Sequence, residues 1–202
     1  MTEISSQLVQ TLREKTAAGM MDCKRALVET KGDMDKAITL LREKGLASAA
    51  KRAGRVASKG VVESYIHLHG SIGVLVEVNC ETDFVAKTPD FKTLAKDIAM
   101  QVAASNPQYV VREDIPADVI EKEKGIIRQQ LLNDEKNKNK PAAVIDKIIE
   151  GRIGKFFSDV CLMEQPFIKA PEQNVEALVK ALIAKIGENI VVRRFARFQL
   201  GA

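Results

Sequence analysis

Few side chains in this 202-residue chain are spaced as chemistry would need them. His67 and His69 are the only histidines, and an i, i+2 spacing puts both imidazoles on one side of a strand, which permits a metal pair. No cluster of further ligands accompanies them, so a solvent-facing sheet edge is the plainer expectation. Cys23, Cys80 and Cys161 are odd in number, widely separated and without a C-x-x-C pair, poor material for a disulfide framework or a zinc site. Reduced thiols are expected. The chain has no glycine-rich phosphate loop, no nucleophile with an identifiable base and no paired carboxylates at a working spacing. It therefore predicts no catalytic residue, no metal and no cofactor.

The chemistry that remains is recognition, and it centres on Thr82-Asp83-Phe84-Val85. A carboxylate beside an aromatic and a β-branched residue is unusual for a short connection, where a solvated polar turn is the default. Two arrangements fit. Phe84 and Val85 tuck under a sheet while Asp83 caps a turn, or Phe84 stands out as a wedge for a partner's groove and Asp83 orients it by accepting hydrogen bonds.

Two elements must position this segment. Upstream, Ile72, Val74, Val76, Val78 and Cys80 alternate as in a strand with one buried face. Downstream, Thr88-Pro89 is a helix start, a hydroxyl cap followed by a residue whose missing N–H costs nothing in the first turn. Phe91, Leu94, Ala95, Ile98, Val102 and Ala103 then recur at helical spacing.

Three stretches together resemble the bacterial elongation factor Ts family: NCETDFVAK at Asn79–Lys87, REKTAAGMMDCKRAL at Arg13–Leu27, and GENIVVRRFARF at Gly187–Phe198. They lie at both ends and in the middle, so the resemblance covers essentially the whole chain. That family is the nucleotide exchange factor of the translation GTPase elongation factor Tu.

The remaining segments supply the scaffold. Ile4 to about Ala53 reads as three short helices, with apolar stripes at Ile4, Leu8, Val9 and Leu12, then Met20, Leu27 and Val28, then Met34, Ala37, Ile38 and Leu41. Thr16-Ala17-Ala18-Gly19 separates the first two, Gly32 closes the second, Asp33 caps the third and Gly45 ends it. Leu46 to Lys59 predicts a short helix and a linker, and the charges of Lys51, Arg52, Arg55 and Lys59, with Lys44 just upstream, form a solvated hinge. A hairpin follows, with Val62, Ile66 and Leu68 on one face, a turn at His69-Gly70-Ser71 and a return from Ile72 to Cys80.

Beyond Asn106-Pro107, two helices joined by the charged turn Asp134 to Lys140 predict an αα-hairpin. Glu164-Gln165-Pro166-Phe167 is an extended break, Asn174 caps a last helix that Gly187 closes, and Ile190 to Leu200 is a strand. Apolar and arginine residues mix on both faces of that strand, as a bulge or a two-sided environment would require. With the hairpin it makes a three-stranded antiparallel sheet, and the fold class is α+β.

Composition agrees with a globular chain: 46% hydrophobic, 29% charged, and a net charge of only +4 from 31 basic and 27 acidic residues. With 4% aromatics and no Trp it lacks stacking platforms for single-stranded nucleic acid. No apolar run reaches eighteen residues and no signal-peptide pattern opens the chain, so a cytoplasmic location and no membrane partner are expected.

The resemblance implies more. Residues 1–53 would be a ubiquitin-associated-like module, 54–60 a linker and 61–202 the α+β core for dimerisation and exchange. The partner would be elongation factor Tu, GDP-bound or nucleotide-free. Thr82, Asp83, Phe84 and Val85 would enter near its Mg²⁺ and phosphate site, and Leu12, Met20, Met21 and Lys24 would dock the module on its GTPase domain. Longer family members carry two related core subdomains, whereas this chain has a single TDFV unit and no internal repeat. A homodimer and a two-to-two complex, without direct nucleic-acid contact, are the corresponding expectations. Two rivals remain: an RNA-associated factor using Arg193, Arg194 and Arg197, and a module that only tethers its partner.

Overall fold

The computed structural model describes residues 4–16, 18–137 and 140–201. In chain order it contains α1 (Ser6–Thr16), α2 (Met20–Glu29), α3 (Met34–Arg52), β1 (Lys59–His67), β2 (Ile72–Cys80), α4 (Asp83–Ala86), α5 (Pro89–Ser105), α6 (Ala117–Asn133), α7 (Ala142–Val160), β3 (Pro166–Phe167), β4 (Ala170–Asn174), α8 (Val175–Ile186) and β5 (Ile190–Gln199). The fold is α+β, with a three-stranded antiparallel sheet in the order β1-β2-β5 and a separate β3-β4 pair. The chain divides into two compact units, Met1–Glu63 with Val76–Lys96 and Ala177–Arg193, and Ser64–Leu75 with Asp97–Glu176 and Arg194–Ala202.

In the first unit, three helices too short to bury a core singly share one, in which Leu12, Cys23, Leu27 and Ala37 are each 0% exposed. Gly32, at φ +85°, closes α2 by donating its N–H to the Leu27 carbonyl at 2.8 Å. Asp33 then caps α3, accepting from Lys36 N at 3.0 Å, and that bond holds its carboxyl below the ordinary value. Ala17, in the break before α2, lies outside the described residues, as do Lys138 and Asn139 in the charged turn between α6 and α7; the side chain of Leu46 is likewise not described.

Gly45 does not end the third helix. α3 runs through it to Arg52, and a Cβ at Gly45 would stand 3.3 Å from Ala184 Cβ on α8. The glycine makes room for a neighbouring helix instead of reversing the chain.

Gly60 does need its missing side chain. It sits in β1 at φ +143°, and a Cβ there would fall 2.1 Å from the Val78 carbonyl oxygen of β2. Lys59 and Gly60 are thereby drawn close against β2, and Asn79 Nδ2 donates to the Lys59 carbonyl at 3.2 Å.

In the second unit, the β1-β2 turn comes one residue early. Leu68, His69 and Gly70 all adopt positive φ in a 3-10 turn, so His69 lies in the reversal and does not share a strand side with His67. His67 instead stacks on Tyr65 at 5.7 Å, with its Nδ1 2.9 Å from the tyrosine hydroxyl.

α6 and α7 pack through Ile127, Leu131, Ile145, Ile149 and Ile153, with an ion pair between Arg128 and Asp146 at 2.8 Å. The segment expected as an extended break, Glu164 to Phe167, is divided: Glu164 ends a 3-10 turn from Leu162, and Pro166–Phe167 is β3, paired antiparallel with β4 through Pro166–Asn174 and Phe167–Ala170. Fully buried Gln101 of α5 secures it, donating to Gln165 Oε1 and the Pro166 carbonyl at 3.2 Å each and accepting from Ile168 N at 2.9 Å.

Along β5 the alternation changes phase. Ile190 and Val192 are buried, yet Arg194, Ala196 and Phe198 of the same parity are exposed, while Arg197 is half-buried with its guanidinium on the Ala103 carbonyl. This change accounts for the mixed faces in the sequence.

Candidate functional site

The connection between β2 and α5 is itself a helical turn, α4, of four residues. A helix so short cannot repay its own nucleation, so neighbours must hold it. Thr82 caps it, its Oγ1 accepting from Val85 N at 3.3 Å. At the other end Thr88 Oγ1 donates to the Val85 carbonyl at 2.7 Å and accepts from Phe91 N at 3.4 Å, so one hydroxyl joins α4 to α5.

Packing then sorts the side chains. Val85 and Ala86 are each 5% exposed, whereas Phe84 is 81% exposed. The turn is anchored by one apolar residue and displays the other. Asp83 occupies the first helical position, where a carboxylate suits the positive end of the helix, and pairs with Lys59 Nζ at 3.6 Å. Val85 is tucked in, Phe84 is exposed, and the cap is Thr82 rather than Asp83.

Beneath the turn lies a polar layer the sequence did not reveal. Glu188 Oε1 accepts from Thr82 Oγ1 at 2.7 Å, and its Oε2 accepts from Thr82 N at 3.1 Å and Glu81 N at 3.2 Å. Glu81 Oε1 accepts from Asn189 N at 2.7 Å, and Asn189 Nδ2 donates to the carbonyls of Arg55 at 2.8 Å and Ala53 at 3.4 Å. Arg52 Nε donates to the Gly187 carbonyl at 2.8 Å. The signal was present in Gly-Glu-Asn after the last helix, but sequence alone does not show which loop this tripeptide meets.

Cys80 adjoins this layer, with Sγ 3.2 Å from the Thr82 carbonyl; burial first, and then the nearby Glu188 carboxylate, push its thiol up. All three cysteines are buried and free. Among the described residues no group of three or more His, Cys, Asp or Glu could hold a metal ion, and no helix is long and apolar enough to cross a membrane. The basic residues expected in a hinge are mostly engaged: Lys44 with Glu29 at 2.6 Å, Arg55 with Glu81 at 3.6 Å, and Arg52 and Lys59 as above.

The residues assigned to the N-terminal module separate. Met20 and Met21 are 48% and 63% exposed, and Lys24 is exposed. Leu12 is not at the surface: at 0% exposure it fills the interior, because its position on α1 faces Cys23 and Leu27.

The family described as Elongation factor TS matches residues 2–182. The chain is 64% identical over 198 residues to a protein of Carboxydothermus hydrogenoformans named Elongation factor Ts, covering 98% of this chain and 89% of the relative. A protein of the same name from Desulforamulus reducens is 61% identical over 201 residues, 100% of this chain and 91% of the relative. Another, from Caldanaerobacter subterraneus subsp. tengcongensis, is 60% identical over 198 residues, 98% and 97% of the two chains.

Proposed function

The chain belongs to the elongation factor Ts family, and from that premise we propose how its surface acts on the partner. Its coarse role follows from membership: a translation elongation factor that exchanges nucleotide on elongation factor Tu and performs no covalent chemistry. The finer reading is that Phe84 enters the GTPase near its Mg²⁺ and phosphate site, while Asp83 holds the loop and contacts nearby backbone. Displacing the groups that retain the metal lets GDP go, and GTP then rebinds and expels the factor. The coupling is reciprocal: the factor weakens nucleotide binding by the same ratio by which nucleotide weakens binding of the factor.

The observation that carries this reading is an 81% exposed phenyl ring on a turn held by a cap, a buried neighbour and a polar layer. A large apolar side chain displayed from a held support loses little conformational entropy on docking. Met20, Met21 and Lys24 supply a second contact, with thioethers that adapt to an irregular surface, and Leu12 supports them from inside. The division into a module at 1–53, a linker at 54–60 and a core at 61–202 belongs to the same proposal, as does a cytoplasmic site of action without nucleic-acid contact.

For assembly we propose a homodimer and a two-to-two complex. Ile66, Leu68, Leu75, Phe198 and Leu200 are exposed apolar side chains of the second unit, which a second copy could cover. Light scattering of the chain and of Phe198→Asp measures this directly, with a dimer expected for the first and a monomer for the second.

Stopped-flow release of fluorescent GDP from elongation factor Tu tests the exchange reading. Strong acceleration by the wild-type chain that falls with Phe84→Ala supports it. Binding with unchanged release would instead make the protein a tether.

A further inference from the structure

We infer that Glu188 is the positioning residue of the exchange turn, an inference that rests on the reading of Phe84 given above. Glu188 follows Gly187, the residue that closes α8 at φ +87° with its N–H on the Ile183 carbonyl at 2.9 Å. The carboxylate is far from the turn in sequence yet receives all three polar hydrogens at its base: Glu81 N at 3.2 Å, Thr82 N at 3.1 Å and Thr82 Oγ1 at 2.7 Å.

The hydroxyl is the decisive group. Thr82 Oγ1 has one proton and must choose a direction for it. Given to Glu188 Oε1, the proton leaves a lone pair aimed at Val85 N, 3.3 Å away, and that contact is the cap of α4. Glu188 therefore sets the orientation in which Thr82 can cap. A four-residue helix has no internal reserve against losing its cap, and Phe84 is its second residue. The carboxylate is in turn fixed from behind, since Asn189 is held by the Arg55 carbonyl and by Glu81, and Gly187 by Arg52. Bonds to a charged acceptor are the strong kind, and these converge on one half-buried group.

Removing the carboxylate frees the Thr82 hydroxyl and two backbone N–H groups while leaving the Phe84 side chain in place. The expected signature is thus a loss of rate with little loss of association. Glu188→Ala should lower the saturating rate of GDP release by about tenfold while the half-saturating concentration stays within about twofold. Glu188→Gln keeps the shape and one acceptor oxygen, so it should lie between. A direct readout is available because the chain contains no tryptophan: Phe84→Trp places a single reporter on the turn.

The experiment combines these. In the Phe84→Trp chain without partner, adding Glu188→Ala should lower the time-resolved anisotropy of the reporter, and Glu188→Gln should lower it less. In the Phe84 chain, both variants are run through stopped-flow exchange, with urea midpoints measured alongside. A wild-type saturating rate for Glu188→Ala, or an unmoved anisotropy, overturns the inference. So does a loss of rate in both variants that only tracks a reduced folded fraction. If Phe84→Ala itself leaves release unchanged while Glu188→Ala still loosens the reporter, the wedge reading fails and the clasp on the turn survives it.

Discussion

Phe84 and Val85 are neighbours in one helical turn and lie at opposite extremes, 81% and 5% exposed. Their substitutions should separate function from folding. Phe84→Ala should leave stability within about 0.5 kcal/mol and reduce stimulated GDP release, whereas Val85→Ala should cost roughly 1–3 kcal/mol of stability. Urea denaturation beside stopped-flow release checks both.

The same contrast applies to the helical module. Leu12→Ala empties a site that is 0% exposed and should cost about 2–5 kcal/mol, visible as an early thermal transition. Met21→Ala, at a residue 63% exposed, should leave the transition in place and weaken association with elongation factor Tu in a binding titration.

Gly60→Ala meets two obstacles at once. Its φ of +143° disfavours any side chain, and the new Cβ would press on the Val78 carbonyl oxygen from 2.1 Å. A loss of about 3 kcal/mol or more is expected, roughly 6–12 °C in Tm for a chain of this length. A Tm within about 2 °C of wild type, the shift of a single kcal/mol, would show that β1 can move aside.

Burial pushes the Cys161 thiol up from 9.0 to about 11. Above pH 9.0 the unfolded chain gives up this proton while the native chain keeps it, so the thiol's contribution is intact below 9.0 and is lost as pH rises through about 11. Urea midpoints followed upward through that window should fall less steeply for Cys161→Ala than for wild type.

Much of the scaffold was legible because it is written locally. Gly32 and Asp33 mark the α2–α3 join, Thr88-Pro89 opens α5, and Gly187 closes α8 through signals a few residues long. What escaped depends on distant partners. Gly45 looks like a helix end until Ala184 is beside it, and Pro166–Phe167 looks unpaired until β4 lies against it and Gln101 reaches the Pro166 carbonyl. The site divides in the same way. Thr82 to Val85 declare themselves by composition, while Glu188 lies more than a hundred residues away in a tripeptide that reads as a simple turn.

The bonds from Arg52 to Gly187 and from Asn189 to Ala53 and Arg55 also bear on how two contacts add. They tie the end of α3 to the segment under the Phe84 turn within one compact unit. If Met20, Met21 and Phe84 contact the partner as proposed, they do so from one compact unit, at a set separation and not at the effective concentration of a chain swinging on a flexible tether. Glycines inserted after Val56 would lengthen the connection while leaving the Arg52, Ala53 and Arg55 ties in place to hold the two surfaces together.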